Sequence, residues 1–251
     1  MKDFNLVFRH FLKRAFRDPM SLIFFIGLPI GLILLNITIF GEVDQEYAEI
    51  DIAVQKAAMV AVLTLAFQFF SADILIYSIY DDIRGNVRWR LLATPVSETV
   101  FYAGAMASSF AFSLLQATLI IGGASLIFDL AWSNVYVLIA AVLLTSIISQ
   151  LMAMVIAQFT NKRKIASGIL QGLCFLFMIL SGIMFIPLGN SAVATFVQSY
   201  GTPLSLAWGA ILNSGMGENN MSQVLINLGV LGAMIVALVS ALVVLLRRKC
   251  I

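Results

Sequence analysis

Six stretches of this chain are apolar over a length that matches a lipid bilayer, and nothing else in the sequence constrains the fold as strongly. They cover residues 20–40, 57–79, 100–128, 134–159, 165–187 and 222–246. A helix needs about 20 apolar residues to cross a hydrocarbon core of roughly 30 Å, and each stretch meets that length. In hydrocarbon every backbone polar group must be satisfied internally, so only helices or closed barrels can span it. Barrel strands would read as short alternating segments, and none is seen. The expected fold class is therefore all-α integral membrane, with six transmembrane helices in one domain covering residues 1–251. With 61% apolar and 11% charged side chains, the composition lies outside the range of soluble domains.

The first apolar run is too long for a signal peptide, and no small-x-small cleavage site follows "FGEVDQ", so it is expected to stay as an anchor. Cys174 is expected in mid-membrane and Cys250 in the tail, too far apart to bridge.

The placement of charge sets the expected topology. Of fifteen basic residues, five precede span 1, three (Arg84, Arg88, Arg90) separate spans 2 and 3, three (Lys162, Arg163, Lys164) follow span 4, and three (Arg247, Arg248, Lys249) end the chain. Only Lys56 falls on the other side. By the positive-inside rule both termini face the cytoplasm, and an even number of spans agrees. The expected location is the cytoplasmic (plasma) membrane, of a bacterium.

Ahead of span 1, in residues 3–17, Phe4, Val7, Phe8, Phe11, Leu12, Ala15 and Phe16 share one half of a helical wheel, opposite Arg9, Lys13, Arg14 and Arg17. Such a helix is expected to lie along the inner membrane surface, phenylalanines in lipid and basic residues in water. Asp18-Pro19 ends it, because proline disfavours a helical residue before it yet can open the next helix. The first outer loop carries Glu42, Asp44, Glu46, Glu49 and Asp51, which read either as a vestibule for cationic cargo or as simple solvation. The outer segment, residues 188–215, has two apolar stretches too short to cross; they read as interfacial or re-entrant helices. Asn220-Met221-Ser222 matches a glycosylation sequon, a short motif with little specificity.

Catalytic chemistry is missing from the sequence. There is no G-x-x-x-x-G-K-[ST] phosphate loop, and the single histidine, His10, leaves no triad or histidine metal site. Among ionisable residues, Asp73 stands out inside an apolar run, seventeen residues past Lys56. That is about 25 Å along a helix, near the inner interface. It is either a hydrogen-bonded structural carboxylate or part of a transport pathway. Gln116 and Gln150, with Gln68, Gln158 and Gln171, could cross-link helices or line that pathway.

The segment Tyr80–Ser97, "YDDIRGNVRWRLLATPVS", joins spans 2 and 3 on the basic side. Ile83, Val87 and Leu91 form one stripe of its wheel, Trp89 and Leu92 point elsewhere, and Pro95 ends it. Two uses stay open on this chemistry: docking to a partner, or a snorkelling interfacial helix.

Here the sequence resembles the type-2 permease subunits of ATP-binding-cassette (ABC) transporters. In that family an acidic-basic-Gly stretch ending in L-L-A-T-P-V-S, or a close variant, joins spans 2 and 3. Asp81, Asp82, Arg84, Gly85, Leu91, Leu92, Thr94, Pro95 and Ser97 stand in the matching places. The family usually has Glu at the position of Asp82, and small or acidic residues where Arg88 and Trp89 stand. Arg17-Asp18-Pro19, "LSGIMFIP" and "GTPLSLAW" resemble its motifs at the start of span 1, the close of span 5 and the approach to span 6.

The resemblance implies a non-enzymatic subunit that dimerises with an identical or paralogous chain and exports an amphipathic or hydrophobic cargo such as a peptide, drug or lipid-linked molecule. Two ABC ATPase subunits would dock below and hold the ATP and magnesium; this chain would bind no cofactor. A coupling helix over residues 81–94 would present Asp82, Arg84, Gly85, Arg88, Trp89, Leu91, Leu92 and Pro95 to the ATPase. The N-terminal helix, through Phe4, Phe8, Phe11, Arg14 and Arg17, would complete that surface. The competing readings are an ion-driven secondary transporter using Asp73, which would call for discontinuous spans and more midplane charge, and a non-transporting membrane scaffold.

Overall fold

A computed structural model describes residues 2–40, 52–85, 88–89, 93–130, 132, 134–181, 191–216 and 220–249. Among these residues the regular structure is entirely helical. The acidic stretch 42–51, most of "LSGIMFIP", Leu91, Leu92 and Cys250 lie outside the described residues. Five helices are long and apolar enough to cross a membrane: Lys56–Ile83, Glu98–Phe128, Val135–Phe159, Arg163–Leu180 and Met221–Leu246. These are spans 2 to 6. Span 1, residues 19–40, joins the N-terminal helix Lys2–Arg17 at a bend of 75°, and the bent pair counts as the sixth.

The bend has a local cause. Asp18 has extended backbone, its carboxylate accepts from the Met20 amide, and Pro19 occupies the first helical turn, where a missing N–H costs nothing. Span 1 then passes through a π-helical turn, Ile23–Gly27, before Leu28–Phe40.

The N-terminal helix is amphipathic, but its apolar face does not all meet lipid. Val7, Phe11 and Ala15, at four-residue spacing, are buried against the rest of the chain, chiefly the first turns of span 3. Gly104 makes the approach close: a Cβ there would sit 2.6 Å from Val7 Cγ1. Phe4, Leu6 and Phe16 remain exposed and Phe8 half-buried, so only the flanks of the stripe are free for lipid. The expectation that Phe11 faces the bilayer is thereby corrected. A wheel separates wet from apolar, but it cannot divide an apolar face between lipid and protein.

Span 2 is the central helix, almost wholly buried, whereas few positions along the apolar length of span 6 are buried. Around span 2 the core holds a polar seam. Thr64, Gln68, Ser109, Ser113, Gln116, Thr145, Ser146, Ser149 and Gln150 are all fully buried. Gln68 Nε2 donates to the Ser113 carbonyl (3.2 Å), Gln116 Nε2 to the Phe67 carbonyl (3.4 Å), and the Ser113 and Ser146 hydroxyls pair. Lipid is as apolar as leucine, so burial alone does not hold spans together; packing and such bonds, about 0.6 kcal/mol each on average, do.

At the end away from the basic loops lie two short helices, Ala192–Tyr200 and Pro203–Ile211. The first buries nothing. The second is embedded against spans 2, 4 and 6, with Leu204, Leu206, Ala207, Ala210 and Ile211 buried. It starts on a reciprocal cap between Thr202 and Ser205 with Pro203 in the first turn. Asn220 of the sequon caps span 6, its side-chain oxygen accepting from the Gln223 amide at 3.2 Å.

Candidate functional site

The basic loops and the N-terminal helix gather at one end of the bundle, around the last turns of span 2. That span does not stop where its hydropathy falls. It continues through a π-helical turn, Ser78–Ile83, so Asp81 and Asp82 belong to its end rather than to a separate coupling helix starting at 81. Gly85 follows where no side chain fits: a Cβ would lie 2.2 Å from the Asp81 carbonyl oxygen.

Two side chains of this turn satisfy the end of span 4. The last four carbonyls of any helix lack intrahelical donors and carry partial negative charge. The Tyr80 hydroxyl donates to the Thr160 carbonyl (2.7 Å), and Arg84 Nη1 donates to the Ala157 carbonyl (2.6 Å). Arg84 also reaches Gln158 Oε1 (3.0 Å) and the Tyr102 hydroxyl of span 3 (3.4 Å). Arg84 is thus turned into its own chain, where its guanidinium caps the end of span 4. A basic residue in a charged loop reads as outward unless the helix end it caps is known.

The neighbouring carboxylates are spent in the same way. Asp82 pairs with Arg14 of the N-terminal helix, and Asp81 with Arg163 at the start of span 5 (2.9 Å). The two guanidinium groups also lie over the Tyr77 ring, 4.7 Å and 4.1 Å from its centroid. Sequence reading placed Arg14 and Asp82 on a partner's surface and used Arg163 only for topology. Tyr77 went unremarked, although a ring one turn before paired carboxylates on a helix is the signal that could have pointed to it.

What remains outward is narrower than expected. Trp89 is 65% exposed, Arg88 is exposed and contacts Glu98 at 3.5 Å, and Pro95 is exposed. Arg17 is exposed on the N-terminal helix.

Beside this cluster a cavity of about 360 Å³ opens between the N-terminal elbow, span 2 and span 5. Phe11, Ile23, Phe24 and Phe25 form apolar wall, and Arg14, Tyr77 and Arg163 reach it from the cluster. Asp73 lines it and accepts a hydrogen bond from the Ser167 hydroxyl. Gln116 and Gln150 do not line it; they are fully buried in the polar seam. Of the pathway candidates, Asp73 and Gln171 line the cavity.

A sequence model of the ABC-2 type transporter family matches residues 2–213, most of the chain. The chain belongs to that family: it is the membrane-spanning permease component of an ABC transporter. No curated protein matches it.

Proposed function

We propose that this chain is the transmembrane subunit of an ATP-driven exporter, working as a dimer of identical or paralogous permeases above two ATPase subunits that hold ATP and magnesium. Both termini and the basic end face the cytoplasm from the plasma membrane, as the distribution of lysine and arginine favours. The ATPase grips the exposed part of the segment between spans 2 and 3, around Arg88, Trp89 and Pro95.

The observation that carries this reading is the wiring behind that segment. Through Arg84, Asp81 and Asp82 the turn that precedes it is fastened to the N-terminal helix and to spans 3, 4 and 5. A displacement imposed there by ATPase closure reaches every element at the basic end, as a rigid-body switch requires. Dimerisation finds support in spans 1 and 5, which flank the cavity. Each carries a Gly-x-x-x-Gly pair, Gly27/Gly31 and Gly168/Gly172, with open space at all four Cβ positions. Span 3 and span 6 also hold open glycines, but neither at that spacing nor beside the cavity.

Co-expression with the cognate ATPase tests the reading. The two should co-purify with an ATPase rate altered by cargo, and Trp89→Asp should release the ATPase while leaving the permease inserted. If no ATPase associates, the reading fails.

A further inference from the structure

Among the described residues, one carboxyl group in the cavity between the N-terminal elbow and spans 2 and 5 forms no ion pair. Four ionisable side chains line the cavity: Arg14, Asp18, Asp73 and Arg163. Three are accounted for. Arg14 pairs with Asp82 and Arg163 with Asp81. Asp18 is the cap of span 1, accepting from the Met20 amide and the Ser21 hydroxyl (2.6 Å). Asp73 has the Ser167 hydroxyl, and among the described residues it forms no ion pair.

A carboxylate held away from water is costly unless a cation or further donors reach it. The wall adds polar groups at Ser21, Ser78 and Gln171 but no further cation, since Arg14 and Arg163 hold their own carboxylates, and the rest of it, Phe11, Ile23, Phe24, Phe25 and Ile74, is apolar. Phe24 and Phe25 meet edge to face at 5.5 Å and present ring surface to the same space. A carboxylate and aromatic rings lining one cavity are the two partners a lipophilic cation uses. An anion would instead have to displace Asp81 or Asp82 from its arginine.

From this arrangement we infer that the cavity binds an amphipathic organic cation, its charge on Asp73 and its apolar body against Phe24 and Phe25. The inference rests on the exporter reading for calling that ligand cargo; the binding itself does not.

The test uses the purified full-length chain in detergent micelles, without ATPase, and equilibrium binding of tetraphenylphosphonium with empty micelles subtracted. Tetraphenylborate and triphenylphosphine oxide serve as the anionic and neutral counterparts. Tetraphenylphosphonium should bind saturably at one site per chain, and the other two weakly. Asp73→Asn keeps an acceptor for Ser167 but loses the charge, and should weaken the cation about tenfold or more, the worth of a charge-assisted contact. Phe24→Lys places a competing cation in the cavity wall and should abolish binding with Asp73 intact, so a folding defect in one variant leaves the other decisive. Saturable binding that both variants retain, preference for the borate, or no saturable binding overturns the inference. Loss of binding with ATPase assembly intact counts against this site, and loss of assembly with binding intact counts against the exporter reading.

Discussion

Arg84 separates two roles that a charged loop residue can have. If it faces the ATPase, removing it weakens a complex; if it caps span 4, removing it weakens the permease. Arg84→Met keeps the stem and deletes the guanidinium. The variant loses a 2.6 Å bond to the Ala157 carbonyl and a 3.0 Å bond to Gln158, while the 3.4 Å contact to Tyr102 is too long to contribute much. Hydrogen bonds from a charged donor are worth about 1.5–3 kcal/mol each. The Ala157 carbonyl keeps the Tyr80 hydroxyl at 3.3 Å, and the half-buried site admits water, so the sum must be discounted. The expected cost is about 2 kcal/mol of permease stability. Arg84→Glu should cost more, because a carboxylate would then face the Ala157 carbonyl where a donor stood. Chemical unfolding of the purified chain without ATPase, with Trp89→Ala as comparator, reads the difference. Trp89 is 65% exposed, and its removal should stay within about 0.5 kcal/mol. If Arg84→Met unfolds like the parent chain and still loses the ATPase, the capping role is wrong.

Two further perturbations address the surroundings of the site. Gly104→Ala forces a Cβ to 2.6 Å from Val7 Cγ1 and should cost about 1–3 kcal/mol by overpacking, with most of that recovered in Gly104→Ala/Val7→Ala. Additive losses in that double-mutant cycle would show that the N-terminal helix is not seated on span 3. Thr202→Ala removes the reciprocal cap of the embedded helix Pro203–Ile211 and should cost about 1 kcal/mol of unfolding free energy; no change would mean that water or another donor replaces the cap.

The membrane-helical class was readable because it depends on run length, a property of neighbouring residues. The amphipathic N-terminal helix and its stop at Asp18-Pro19 were readable for the same reason. What could not be read was direction. Arg14 meets Asp82 across 68 positions and Arg163 meets Asp81 across 82, and no periodicity links residues so far apart. Phe11 and Phe16 look alike on a wheel, yet one is buried in protein and the other is exposed. Gln116 and Gln150 are polar residues in apolar spans, equally suited to a seam or a pathway until the packing is known. Asp73 carried the strongest signal, a carboxylate within an apolar run, and it lines the cavity together with Gln171.

Tyr77 gives the basic end its mechanical character. Held between Arg14 and Arg163, with each arginine also moored to one of two adjacent carboxylates, the ring ties three pieces of chain that are remote in sequence into one yoke. The end of span 2 cannot tilt by itself. Either it drags the N-terminal helix and the head of span 5 along, or both moorings part together. A tilt of that end therefore strains both moorings at once.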